Sequence, residues 1–306
     1  MDFTLFEKYI KEFLFYSEFS EEKSRNTIIS IKKDLEQLTE YLAEEKDLED
    51  ITKISPIMIR GFLVKMQKDN IGKRSLSRKL SSVKTFFRYL KKNGIIKIDP
   101  TQTVSAPSFQ VETPDILSLD EIQKLRDIID TRKCSGLRDR LIIELLFSSG
   151  ITSQELLSLG ENVFNLEERE MIVSSGKNSR VVFFSETARE YFKRYVEAKK
   201  EKFKERYNPD ILFVNNSAGR ISDRSLRRLI DRYAAAAGIT REISPYSFRH
   251  TFGAYMLSHG MDIFFLKELL GHLNIETTKM YQEIIKKPTI LKSLECLKTK
   301  NRRKNG

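Results

Sequence analysis

The sequence predicts a mainly α chain of two domains, a small helical domain followed by a mixed α/β domain with a small β-hairpin or sheet. Three observations lead there. Apolar residues recur with helical spacing over the first 97 residues, a proline-punctuated stretch interrupts that pattern near residue 100, and β-branched runs around a polar turn occur at 170–184 among further helical patterns. A chain of 306 residues is long enough for two cores.

The first domain covers 1–97, with helices expected at 6–19, 24–45, 55–70 and 75–94. In the last of these, Leu76, Leu80, Val83, Phe87 and Leu90 make one buried stripe, and Gly94 ends the helix. Arg78, Lys84 and Arg88 point largely away from the stripe. Residues 71–100 hold nine Lys and Arg against one acid, Asp99, in a chain of net charge +11. A cluster that dense on a structured helix, rather than a tail, points to DNA or RNA more than to an anionic membrane. The candidate contacts are Arg74, Arg78, Lys79, Lys84 and Arg88. The plain alternative is a solvated helix face.

Residues 98–117 carry Pro100, Pro107 and Pro114 without helical period and are expected to be a linker. The second domain, 118–306, opens with Ser118 and Glu121 spaced as a capping box. "GLRDRLIIELLFSSG" is apolar nearly all round and is the expected centre of the second core. The hairpin follows, with Lys177 at its turn, and then five more helical stretches. No apolar run approaches a bilayer span. The N-terminus carries acids and lacks a basic leader segment, so no signal peptide is expected. Cys134 and Cys296 have neither metal-ligand nor disulfide spacing, and a reducing cytoplasm is the expected location.

All three histidines, His250, His259 and His272, fall within 23 residues just upstream of Tyr281. Tyr246 and Arg249 are spaced i, i+3 on one helix face. Asp262 and Asn274 are natural N-caps for two short helices, which leaves His272 in the turn between them and Tyr281 two turns into the last. A phenol attacking a phosphodiester needs cations for the charge that develops and an acid for the leaving oxygen. Tyr281, Arg249, His272 and Lys177 are residue types suited to those roles. His250, roughly 100° around the helix from Arg249, is expected to pack or support. His259, beside Gly260, is expected to cap a helix or lie on the surface.

These residues resemble the tyrosine site-specific recombinases, the phage integrase family, and within it the Xer type. "SPYSFRHTFGAYML" looks like the family's His-x-x-Arg-His-Thr-Phe box, "LLGHLNIETTKMY" like its Leu-Leu-Gly-His box ending in the nucleophilic tyrosine, and "GKNSRVVFF" like the hairpin carrying its lysine. The basic helical domain is similar to the family's core-binding, SAM-like domain. The resemblance implies two domains clamping duplex DNA, with Tyr281 attacking the scissile phosphate to form a 3′-phosphotyrosyl link. It implies that Lys177 protonates the leaving 5′ oxygen while Arg249 and His272 hold the nonbridging oxygens. It implies a monomer in solution that forms a homotetramer or heterotetramer on DNA, with no cofactor, metal, membrane or small-molecule substrate. Resolution of chromosome or plasmid dimers is the expected setting. The residues at 289–298, "TILKSLECLK", are expected to pack on a neighbouring protomer or, alternatively, to fold back on their own domain.

Two positions depart from the family pattern. Thr152 stands where the family's first active-site arginine is expected, although Glu155, at the position that supports that arginine, is retained. Losing one donor to a developing oxyanion lowers rates by about 10²–10³-fold, so a second expectation is a DNA-binding paralogue with weakened or absent chemistry. Arg138 or Arg140, on the preceding helix, are the candidates to replace the charge. Tyr246 stands at a histidine position; it can still donate a hydrogen bond to a phosphate oxygen but is a poor acid–base group at neutral pH.

Overall fold

The computed structural model describes residues 3–44, 50–107, 114–175 and 178–286. It divides into two compact units, Met1–Val111 and Glu112–Gly306. The first contains α1 (Phe3–Phe19), α2 (Arg25–Ala43), α3 (Pro56–Lys68) and α4 (Lys73–Lys92), with one 3₁₀ turn at Ile51–Lys53. Local chemistry sets the starts. Ser24 accepts the Thr27 N–H ahead of α2, and Ser55 accepts the Met58 N–H ahead of α3, whose first turn holds Pro56. Phe6 and Phe13 of α1, Leu35 and Leu38 of α2, and Phe86 and Phe87 of α4 form the centre of the core. The whole predicted stripe of α4 is buried.

The polar side of α4 differs from its expected role at one residue. Lys79 is buried, with Nζ 3.0 Å from Asp34 Oδ1 on α2 and a second bond to Gln37. Asp34 also accepts from both terminal amines of Arg78 and from the Ser82 hydroxyl at 2.8 Å. Lys79 lies between Leu76 and Val83 at i+3 and i−4, inside the buried arc, and the carboxylate of Asp34 makes its burial tolerable. It is therefore a cross-link between helices, not an open DNA-facing cation. Arg78 keeps one side on Asp34 while half of its side chain is exposed. Arg74 and Arg88 are exposed, and Lys84 is partly so.

Within the expected linker, Val104 is buried in the first core and Leu117 in the second. Proline excludes helix there but not packing, and Asp99 orders the turn by accepting the Thr101 N–H at 2.7 Å.

The second unit comprises α5 (Leu119–Asp127), α6 (Cys134–Ser149), α7 (Ser153–Ser158), β1 (Phe164–Asn165), β2 (Glu170–Ser175), β3 (Asn178–Phe183), α8 (Glu186–Phe203), a 3₁₀ turn at Lys204–Arg206, α9 (Asp223–Ala236), α10 (Pro245–Ser258), α11 (Ile263–Leu270) and α12 (Glu276–Ile285). The Ser118–Glu121 capping box forms as expected. Helix α6 runs through the middle, with Leu141, Ile142, Ile143, Leu145 and Leu146 fully enclosed. The hairpin β2–β3 pairs Met171 with Val182 and Ser175 with Asn178, and the short β1 adds a third antiparallel strand that extends the hairpin into a small sheet. Along β3, Val182 faces inward while Val181 and Phe183 face out. Gly150 and Gly271, with φ of 63° and 72°, close α6 and α11 in a conformation that favours glycine, and both ends point into the site described below. Among the described residues no helix is long and apolar enough to cross a membrane.

Replacing Asp34 by alanine leaves Lys79 buried without its anion. The expected loss is about 3–5 kcal/mol, measured as a lower urea midpoint. Adding Lys79→Met is expected to recover part of it, because the orphaned charge is then gone as well.

Candidate active site

Tyr246, His250 and Gly253 fall on one flank of α10 at i, i+4 and i+7, with Arg249 beside them. Helix α12 packs against this flank and lays the Tyr281 ring over Gly253. A Cβ at 253 would sit 2.6–2.9 Å from the ring atoms, so only glycine admits the ring there. Tyr281 is 1% exposed, and its hydroxyl lies 3.3 Å from His250 Nδ1. His250, expected to pack or support, is thus in direct contact with the candidate nucleophile, because the ring reaches back one turn from Gly253. The His272 ring is parallel to that of Tyr281, with centroids 6.3 Å apart. Its Nδ1 is held by the Thr278 hydroxyl at 2.8 Å. Tyr246 is half exposed at the first turn of α10, its ring 6.1 Å from that of His250. His259 is the C-cap of α10, apart from this group.

Arg249 is nearly buried and donates to two helix-end carbonyls, Gly150 O and Leu270 O, each at 2.7 Å. Beside it, Arg180 of β3 donates from Nε to Leu269 O at 2.7 Å. Both terminal amines of Arg180 bond the Glu155 carboxylate, one of them at 3.1 Å. Glu155 also closes a capping box with Thr152: its carboxylate accepts the Thr152 N–H at 2.8 Å, and the Thr152 hydroxyl accepts the Glu155 N–H at 3.2 Å. Thr152 therefore acts as the N-cap of α7, and the cation on Glu155 comes from a different element.

Arg180 was not singled out in the sequence. The signal for it was Glu155, a carboxylate deprived of its usual arginine. Strand alternation then places Arg180 on the inward face with Val182, opposite the buried Val173. The sequence-based candidates to replace the charge are committed elsewhere. Arg138 bonds Asp139 and the Val214 carbonyl, and Arg140 bonds the buried Glu144 and the Arg126 carbonyl. Lys177 and the segment 289–298 lie outside the described residues.

The electrostatics follow from burial beside cations. Burial, then the charge of Arg249, depresses both His250 and His272 to about 4, with Arg180 adding to the effect on His272. Burial raises Tyr281 to about 12, against the opposing pull of Arg249. Burial also lowers Arg249, which Tyr281 and Glu155 partly offset. For Glu155, burial pushes the carboxyl up, but the Arg180 and Thr152 hydrogen bonds and the charge of Arg180 carry it below its ordinary value. At neutral pH the site thus holds two neutral imidazoles, a neutral phenol, two guanidiniums and one carboxylate. Among the described residues no group of three or more His, Cys, Asp or Glu is placed to hold a metal ion.

The model of the Phage integrase family matches residues 115–287, and that of the Phage integrase, N-terminal SAM-like domain, matches 10–94. The chain is 34% identical over 282 residues to the tyrosine recombinase XerC of Thermodesulfovibrio yellowstonii, covering 90% of this chain and 91% of the relative. It is 31% identical over 281 residues to the tyrosine recombinase XerD of Oceanobacillus iheyensis, covering 90% and 94%. Among solved structures, the XerH site-specific recombinase bound to palindromic difH substrate, in a post-cleavage complex, superposes with a TM-score of 0.72 at 18% identity over 93% of this chain and 95% of that one. The XerA recombinase gives 0.53 at 24% identity over 95% and 98%. At those identities the two structures attest the fold.

Two outcomes are expected from this geometry. In an NMR titration, His250 and His272 stay neutral until the pH falls to about 4, well below an ordinary histidine near 6.5. The unfolded chain binds those protons first, so stability present above about pH 6.5 is lost as the pH falls toward 4. Gly253→Ala is expected to displace the Tyr281 ring, read as increased tyrosine accessibility to solvent quenchers.

Proposed function

We infer what this site does from the fact that the chain belongs to the phage integrase family: it is a tyrosine recombinase that cuts and rejoins DNA at specific sites. The observation that carries the assignment of roles is the Tyr281 hydroxyl, held against a neutral His250 within a cluster that contains Arg249 and His272. Tyr281 Oη attacks the scissile phosphorus, a bond to the 3′-side phosphate forms, and the bond from phosphorus to the 5′ oxygen breaks. The phenolic proton passes to His250 Nδ1 in the tautomer protonated at Nε2. Burial raises the phenol and depresses the imidazole, which disfavours ionisation ahead of attack, so proton loss accompanies P–O bond formation. A phosphodiester anion in the site stabilises imidazolium, which helps His250 take the proton. Lys177 donates the proton that the 5′ oxygen needs. Arg249 and His272 hold the nonbridging oxygens. Since Thr278 occupies Nδ1 of His272, its contact falls to Nε2.

The partner is duplex DNA, gripped in part by α4 through Arg74, Lys84 and Arg88 and the open side of Arg78. Four protomers assemble on it, as homotetramer or heterotetramer, and act in the cytoplasm without a cofactor. An apolar groove of about 900 Å³, lined by Phe147, Phe183, Phe252, Tyr255 and Met256 among others, supports the reception of a neighbour's residues 289–298. The relatives are XerC and XerD recombinases, which favours resolution of chromosome or plasmid dimers as the setting.

The test is covalent trapping on nicked duplexes selected from a random pool by binding. Wild type is expected to remain attached to DNA under denaturing conditions, and Tyr281→Phe to bind without attaching. An adduct that survives Tyr281→Phe removes Tyr281 as the nucleophile. Binding is expected to weaken steeply with salt. Arg74→Ala and Arg88→Ala should each flatten the log–log slope by about 0.9 if each releases one phosphate contact; unchanged slopes would take α4 out of the interface.

A further inference from the structure

We propose that Arg180 is a catalytic residue of this recombinase, delivering from strand β3 the phosphate-binding guanidinium that Thr152 does not provide. The proposal rests on the reading of Tyr281 given above. Its first support is position. Arg180 and Arg249 donate to successive carbonyls, Leu269 and Leu270, at the end of α11, immediately before His272. The turn between is built around the guanidinium: a Cβ on Gly271 would lie 2.9–3.2 Å from three of the Arg180 guanidinium atoms. Arg180, Arg249 and His272 thus share one helix terminus.

The second support is spare valence. A guanidinium has five N–H groups. Glu155 takes one from each terminal nitrogen and Leu269 takes Nε, so each terminal nitrogen retains one N–H. The side chain is 16% exposed, so it is enclosed without being sealed from solvent. Charge gives the third. Arg180 and Arg249 bring two positive charges and Glu155 one negative, while burial beside those cations holds both imidazoles neutral. The net positive charge of these groups favours a phosphodiester anion. Glu155 is the fixed point. It takes the two-pronged contact of an arginine in either arrangement, and Thr152, released from that task, caps α7 instead.

The test is single-turnover cleavage by full-length protein on nicked duplexes carrying either a normal scissile phosphate or a neutral methylphosphonate. Arg180→Ala is expected to bind duplex yet cleave the phosphate about 10²–10³-fold more slowly, the loss typical of removing one oxyanion donor. On the methylphosphonate, which has one charge fewer to neutralise, its deficit should largely close. Arg180→Lys, which keeps the charge but not the fork, should fall between the two. Thr152→Arg should rescue Arg180→Ala and give no gain in the wild-type background. Cleavage by Arg180→Ala at the wild-type rate overturns the proposal. So does an equal deficit on both substrates, which is the mark of a merely structural role or a misfolded variant. An adduct with Thr152→Arg but none with wild type also overturns it, while leaving Tyr281 as nucleophile. No adduct with either would overturn the reading of Tyr281 and the proposal with it.

Discussion

The grip of two guanidiniums on the carbonyl end of α11 is the constraint around which the second unit is arranged. Arg249 reaches Leu270 O from α10 while also closing the end of α6 at Gly150 O, and Arg180 reaches Leu269 O from β3. Three elements distant in sequence are thereby fixed to one helix terminus, where the helix dipole favours positive charge. The turn that follows, Gly271–His272, inherits its position from those bonds. Helix α12 then sets Tyr281 over Gly253 and against His250. Displacing Arg249, which spans the ends of α6 and α11, would shift the turn and the histidine together.

That arrangement also prepares the site electrically. Burial keeps the phenol protonated, and burial together with the neighbouring cations keeps the imidazoles neutral. The stabilisation the protein withholds from its own groups is available to a phosphate whose charge grows during attack. The resting state and the reacting state are thus served by the same charges. The first unit differs: its buried Asp34 binds Lys79 and part of Arg78, while Arg74, Arg88 and, in part, Lys84 of α4 remain open to a polyanion.

Much of this was legible in the sequence. Helices α1–α4 follow from apolar spacing and caps, the capping box of α5 from Ser118 and Glu121, and the hairpin from its β-branched runs. The grouping of Arg249, His272 and Tyr281 was visible because short-range motifs carry it. What escaped depended on packing between elements. Helical spacing does not show that Lys79 sits under a carboxylate from α2, nor that Tyr281 reaches one turn back to His250. Arg138 and Arg140 were plausible replacements for the missing cation until Asp139 and Glu144, on their own helix, proved to hold them. Arg180 was hidden for a simple reason: charged residues in a hairpin are ordinarily read as outward-facing, and only the unpaired Glu155 pointed inward.

Arg180 and Arg249 together are proposed to meet the scissile phosphate. An experimental structure of Tyr281→Phe bound to an uncleaved duplex tests it most directly. Terminal nitrogens of both Arg180 and Arg249 are expected at about 3 Å from nonbridging oxygens of the scissile phosphate, with Glu155 still bound to Arg180. A phosphate contacted by Arg249 and His272 alone, with Arg180 bound only to Glu155 and Leu269, would contradict it.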